Sequence, residues 1–306
     1  MMNEQIATGV GPSRIDIAYQ SHGNPAHPTV LLVMGLAAQL VHWPLGFIEA
    51  LVHRGLHVVR FDNRDAGRST YLRDAPPANL PATLQGDLSS VSYTLSDMAA
   101  DVVGLLDLLK VDAAHVVGAS MGGGIAQTLA IEHPKRVRSL TSMMWTTGDM
   151  TVGQIHPATM KSVFGGPPAR TREEIIARAV RHSGIVGSPA FPADPAEVAE
   201  RAGLAFDRGY DEAAIARQAV ATVASGDRTR RLGTLDVPTL VLHGLADTMC
   251  DPSGGRATAT AIPGAELVLI KGMGHDLPRG LWERIADLIA AVVQRGEARA
   301  RPAGDM

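Results

Sequence analysis

The run His115-Val116-Val117-Gly118-Ala119-Ser120-Met121-Gly122-Gly123-Gly124 reads as a strand driven straight into a helix. The valines belong to a short apolar strand, and the residues after Gly122 open a helical pattern that stops before His133-Pro134. Between the two stands G-x-S-x-G. In that setting the turn is so tight that the Ser120 hydroxyl projects above the sheet as a nucleophile. Side chains two positions either side of the serine would collide, which accounts for Gly118 and Gly122. The Met121 N–H, at the helix start, can then face the oxygen that turns negative when Ser120 attacks a carbonyl.

A serine nucleophile needs a base, and the base needs a carboxylate to orient it. His243-Gly244-Leu245-Ala246-Asp247 and Lys271-Gly272-Met273-Gly274-His275-Asp276 each follow a late strand pattern. Ser120, Asp247 and His275 thus stand in the order nucleophile, acid, base that accompanies such an elbow. Asp251 and Asp276 are rival acids. Asp276 adjoins His275, and adjacent side chains point apart. Asp251 precedes Pro252 and suits a helix cap. His243 is expected to pack under the site. His42, His53 and His57 form no H-x-x-x-H pair with a nearby glutamate, so no metal is expected.

A second oxyanion donor is expected after an early strand. In Leu31-Leu32-Val33-Met34-Gly35-Leu36 the glycine permits a tight turn, which would aim the Leu36 N–H at the anion, with Trp43 bracing the loop. The charged stretch Arg60 to Ser69 reads as a buried or rim salt-bridge network that fixes the active-site floor, with a catalytic carboxylate at Asp62 as the alternative. Met34, Met144, Trp145, Met249 and Met273 fall at or near the carboxyl ends of strands, where a pocket in an open α/β sheet belongs; with Trp43 of the early loop they are expected to line it. Flexible thioethers suit bulky apolar ligands. With no cationic clamp in view, a neutral ester is the expected substrate.

Strand patterns fall at 15–20, 29–34, 57–61, 114–118, 137–143, 239–243 and 266–270. Several are continuously apolar, as parallel strands covered on both faces are. Helical patterns alternate with them. The clearest is 95–109, with Thr94 as cap and Asp97 in the first turn; another runs from about 280 to 293. The alternation makes an α/β domain. It breaks over 146–235, where helical segments at 172–182, 195–205 and 212–225 stand among glycines and prolines with no strand. That gap is too long for one crossover. The expected organisation is a core over 1–145 and 236–295, a helical insertion over 146–235, and a frayed tail over 296–306.

Composition narrows the function classes. The chain is 45% hydrophobic with a formal net charge of −3, so neither disorder nor a strongly basic nucleic-acid binder fits. Cys250 is the single cysteine, which leaves no intrachain disulfide and no thiolate metal cluster. No apolar run approaches the roughly 20 residues of a membrane span, and no secretory leader is visible. A cytoplasmic protein is expected. No G-x-G-x-x-G or G-x-x-x-x-G-K-[S/T] is placed to hold a nucleotide, so no cofactor is expected.

Taken together, the Met34-Gly35-Leu36 loop, the Asp62 to Ser69 loop, the elbow, Asp247 and Gly274-His275-Asp276-Leu277-Pro278 make the chain resemble the α/β-hydrolase superfamily over nearly its whole length. Met34-Gly35 replaces the usual His-Gly, and Arg64-Asp65-Ala66-Gly67 replaces the usual Arg-Gly-x-Gly. That combination is similar to bacterial esterases that include the aclacinomycin methylesterases. The resemblance implies a mostly parallel eight-stranded sheet with helices on both faces and the insertion as a cap. It also implies Ser120, Asp247 and His275 as triad, with Leu36 and Met121 as oxyanion donors. The expected activity is hydrolysis of a small-molecule ester through an acyl-enzyme. A lactonase or polyketide methylesterase using the same triad is the alternative within enzymes, and a ligand-binding module without turnover is the alternative outside them. A homodimer is compatible with the sequence.

Overall fold

The computed structural model describes residues 4–165 and 169–300. The glycine–proline stretch at 166–168 and tail residues 301–306 lie outside the described residues.

Eight strands form one sheet in the order β1-β2-β4-β3-β5-β6-β7-β8. They are β1 (Gln5–Val10), β2 (Ile15–His22), β3 (Thr29–Val33), β4 (His57–Phe61), β5 (Ala114–Ala119), β6 (Val137–Met143), β7 (Thr239–Gly244) and β8 (Glu266–Ile270). β1 and β2 pair antiparallel, β2 joins β4 antiparallel, and every later pairing is parallel. Seven strands agree with the sequence patterns to within two residues at either end. β1 supplies the eighth strand that the resemblance implies, but no sequence pattern located it. It carries Gly9 at φ +66° and an irregular register between Ala7 and Val10, and only those two residues of the strand are buried. A bulged edge strand of this kind has no clean alternation to read.

The helices are α1 (Leu45–His53), α2 (Leu80–Leu84), α3 (Leu95–Leu108), α4 (Met121–Glu132), α5 (Pro157–Phe164), α6 (Arg172–Val186), α7 (Pro195–Arg208), α8 (Glu212–Ala224), α9 (Thr229–Leu232), α10 (Ser253–Ala261) and α11 (Trp282–Ala300). α3 starts as its pattern predicts, with the Asp97 carboxylate accepting from the Thr94 N–H and hydroxyl at 2.8 Å. α11 runs to Ala300, so 296–300 is helical where a frayed tail was expected.

Two apolar layers hold the sheet. Leu31, Val33 and Val116 point to one, shared with α3 and α4; Val30, Leu32 and Val117 point to the other, shared with α1 and α11. The two-residue alternation of a strand feeds both cores from one run, which is why the central strands are apolar throughout. β3 has β4 on one side and β5 on the other, so the chain reverses its direction of travel across the sheet there. The crevice at the carboxyl ends of strands at such a switch point is where ligands bind.

Between β6 and β7, among the described residues, the elements are the helices α5 to α9, with no strand. The insertion is anchored to the loop after β4 by buried ion pairs. Arg217 on α8 pairs with Asp65, and Arg208 at the end of α7 pairs with Asp62. Arg64 in the same loop pairs with Asp101 of α3 at 2.6 Å. The expected network under the floor is therefore present.

Candidate active site

Ser120 sits between β5 and α4 at φ 55° and ψ −130°. A non-glycine residue in that region is strained, and the surroundings enforce it. The Ser120 N–H donates to the Met143 carbonyl at 3.0 Å, and its own carbonyl accepts from the Gly123 N–H. A Cβ at Gly118 would lie 2.1 Å from the Gly122 oxygen, and one at Gly122 would lie 2.1 Å from the Val33 oxygen. No side chain fits at either position.

The structure brings the three predicted residues together. His275 Nε2 is 3.0 Å from the Ser120 hydroxyl, and His275 Nδ1 is 2.8 Å from Asp247 Oδ2. Asp247 is buried, and its Oδ1 accepts from the Met249 and Cys250 N–H groups at 2.8 Å each. Burial alone would raise this carboxyl. The His275 charge, hydrogen bonds from His243 and His275 and the Cys250 N–H together hold it well below the usual carboxylate range. His243 is fully buried beneath, its Nε2 2.8 Å from the Cys250 carbonyl. Of the rival acids, Asp251 is exposed and accepts from the Ser253 N–H at the start of α10, and Asp276 points away to Ser188.

The Gly35–Leu36 turn passes directly over the serine, since a Cβ on Gly35 would lie 2.9 Å from Ser120 Cβ. Asn63 donates to the Met34 carbonyl at 2.8 Å and ties this turn to the loop after β4. Among the described residues, neither the Leu36 nor the Met121 N–H donates to another group of the chain.

A cavity of about 500 Å³ opens over Ser120 and His275. Met34, Leu36, Trp43 and Met144 line it from the core side. Trp145, Met249 and Met273 do not line it. Trp145 packs against Gly123 and Gly124 behind the elbow, Met273 is fully buried in the core, and Met249 sits in the turn that its N–H makes with Asp247. A residue after a strand can point under the sheet edge as readily as over it, and position alone does not separate the two.

The far wall was missed from sequence. Ser183, Pro192, Ala193, Asp194, Glu197 and Arg201 come from the insertion, and Asp276, Arg279 and Trp282 from the chain after His275. The expectation that no cation faces the pocket is corrected by Arg201 and Arg279. Burial lowers the Arg201 pKa, opposed by Glu197 and Asp276. Two cations stand beside three carboxylates on this wall, so no cationic excess results. Glu197 and Arg201 are one helical turn apart, a spacing that in sequence reads as a solvated surface pair.

Comparison with known proteins agrees with this fold. A family model described as the alpha/beta hydrolase fold matches residues 28–278. The chain belongs to the α/β-hydrolase family. It is 32% identical to rhodomycin D methylesterase of Streptomyces peucetius, over 88% of this chain and 92% of that protein. It is 28% identical to a putative carbamate hydrolase of Variovorax paradoxus, over 84% of this chain and 88% of that protein. Among solved structures, a hydrolase from Pseudomonas aeruginosa PA01 superposes with a TM-score of 0.69 at 25% identity, covering 96% of this chain and 98% of that one. An enol-lactonase from Burkholderia xenovorans LB400 shares the fold, with a TM-score of 0.68 at 23% identity over 95% and 98% of the two chains. No helix among the described residues is long and apolar enough to cross a membrane.

Proposed function

We propose that this carboxylic-ester hydrolase works through an acyl-enzyme on Ser120, with His275 as general base and acid and Asp247 as its orienting carboxylate. The observation that carries the proposal is the unbroken chain from the Ser120 hydroxyl through His275 to Asp247, at 3.0 and 2.8 Å. His275 Nε2 accepts the serine proton as Oγ attacks the ester carbonyl. Asp247 holds the Nδ1–H tautomer and stabilises the imidazolium. The Leu36 and Met121 N–H groups receive the oxyanion, each contributing roughly 2.7–4 kcal/mol to the transition state. His275 then protonates the departing alcohol, and in the second half-reaction takes a proton from the water that releases the acid. Every proton is moved by a group of this chain.

The substrate we assign is a neutral ester with a bulky apolar acyl part, of which methyl esters of polycyclic polyketide acids are the leading class. Likeness to rhodomycin D methylesterase supports this. So does a cavity of about 500 Å³ with an apolar core-side wall, within the range of roughly 300–1,000 Å³ that holds drug-sized ligands. On this reading α5 to α8 act as the cap that completes the pocket. A reducing, cytoplasmic setting suits the free Cys250 thiol.

The test is hydrolysis of p-nitrophenyl esters of graded acyl length beside an anthracycline methyl ester and a homoserine lactone, with Ser120→Ala as control. Preferred cleavage of the polycyclic methyl ester, lost in the variant, supports the assignment. Turnover confined to short chromogenic esters removes the polyketide class, and turnover confined to the lactone replaces ester with lactone hydrolysis.

A further inference from the structure

The loop that carries His275 is held on both sides, and only one side belongs to the core. On the core side the Leu245 N–H donates to the Ile270 carbonyl and the Ala246 N–H to the Met273 carbonyl, each at 2.9 Å. Gly244 lies so close that an added Cβ would meet the Met273 oxygen at 2.2 Å. These contacts fix the His275 loop against the segment that leads to Asp247.

The opposite side rests on the end of α6. The His275 N–H itself donates to the Val186 carbonyl at 2.7 Å, and the Ala190 N–H donates to Gly272 at 3.2 Å. A Cβ on Gly274 would lie 2.4 Å from the Gly187 oxygen and 2.5 Å from the Val186 oxygen, so the two backbones touch. Ser188 closes the contact. Its buried hydroxyl oxygen accepts from the Gly274 N–H at 2.9 Å and its hydroxyl donates to the Asp276 carboxylate. One side chain thereby ties the residues immediately before and after His275.

We propose that Ser188 and Asp276 are positioning residues for His275, so that the helical insertion helps to hold the general base as well as roofing the pocket. The inference rests on the proposed role of His275. A hydroxyl that both donates and accepts removes two degrees of freedom from a short loop. Without it the Gly274 N–H loses its partner and the Asp276 carboxylate loses the hydroxyl, keeping the Ser188 backbone contact and the nearby Arg201 charge, which loosens the loop around His275. Imidazole placement to within about 0.5 Å is what such a supporting shell supplies.

The experiment compares kcat and KM for p-nitrophenyl butyrate in Ser188→Ala, Asp276→Ala, Asp276→Asn and the double alanine variant. Each is normalised to the folded fraction measured by thermal unfolding. Ser188→Ala is also made in the His275→Ala background. The expected result is a fall in kcat of about 10-fold in either alanine variant with KM little changed. The double variant falls no further, because one network is lost once, and Asp276→Asn, which keeps an acceptor oxygen, recovers most of the rate. In the His275→Ala background Ser188→Ala has no further effect on residual turnover. An equal loss in that background, or a loss explained wholly by the folded fraction, overturns the proposal. Failure of the triad itself is a separate result, seen as turnover that survives Ser120→Ala.

Discussion

Arg217 on α8 grips Asp65, in the loop after β4, through two hydrogen bonds of 2.8 Å, and both side chains are buried. The Tyr93 hydroxyl donates to the same carboxylate at 2.8 Å. The pair joins the insertion to the core 152 residues away in sequence. Removing one partner leaves a buried charge unmatched, at a cost of about 3–5 kcal/mol. Arg217→Ala is therefore expected to lower the urea midpoint sharply. Arg217→Lys should restore little, because an ammonium cannot make the two-pronged contact. Equal midpoints for Arg217→Lys and the parent would contradict this.

The elbow makes a steric prediction. Gly118→Ala and Gly122→Ala each place a carbon about 2 Å from a backbone oxygen, far inside contact distance. Neither neighbour is a flexible side chain that can step aside. Both variants are expected to be recovered as insoluble or unfolded protein. Gly226→Ala, which meets nothing within 4 Å though its φ is +62°, should cost far less. The comparison is read from soluble yield and circular dichroism.

Acid should destabilise the fold through two histidines held uncharged, His22 in the interior and the partly exposed His42 on the cavity wall. Burial lowers the pKa of His22, with Arg60 adding to it, from 6.5 to about 4. Burial and then Arg201 do the same for His42, also to about 4. Between pH 6.5 and 4 the unfolded chain binds protons at these two sites that the folded chain does not. Their contribution is complete above pH 6.5 and is lost as pH falls toward 4. His42→Gln, which cannot charge, is expected to flatten the dependence of unfolding free energy on pH near 5 by up to about 1.4 kcal/mol per pH unit. An unchanged slope would show that the fold does not hold His42 neutral.

The readable and unreadable parts of this molecule differ in kind. Ser120, Asp247 and His275 were legible because each stands in a short local signal: a glycine-flanked elbow, and two loops that follow apolar strands. The parallel strands were legible because both faces are buried. β1 escaped because its bulge breaks the alternation, and the last turns of α11 because Gly296 reads as an end while in the fold it packs within 2.7 Å of the Arg138 oxygen for a would-be Cβ. The far wall of the cavity escaped for a deeper reason. Glu197 and Arg201 reach the cavity only through the tertiary docking of α7, and a surface helix has the same local pattern. The assignment of Trp145 and Met273 to the pocket failed on the same point, since they lie near strand ends but point into the packing below.

Asp247 supplies a test of the triad that spares its shape. Asp247→Asn keeps the acceptor oxygen but places an amide where a carboxylate holds the imidazole, favouring the wrong tautomer. A fall in kcat of about 10⁴-fold is the expectation, by analogy with the same change in serine proteases. Steady-state kinetics on p-nitrophenyl butyrate measures it. A fall of less than about 10-fold would assign the acid role elsewhere, with Asp276 next in line.

Cys250 offers a check on the packing beside the acid. Its thiol is buried, and burial, with Asp247 and Asp251 nearby, pushes its pKa well above the ordinary value. The thiolate is the reactive form. Cys250 is expected to resist iodoacetamide at pH 8 in the native protein and to react fully in urea. Rapid labelling of native protein would contradict that packing.

The central claim is that acyl groups pass through Ser120, and rapid-quench mass spectrometry of the enzyme mixed with a p-nitrophenyl ester tests it most directly. The expected result is an acyl mass on the peptide containing Ser120 within the first turnover, and no such adduct with Ser120→Ala. Turnover at the parent rate with no adduct on that peptide, or an adduct on another residue that persists in Ser120→Ala, would contradict it.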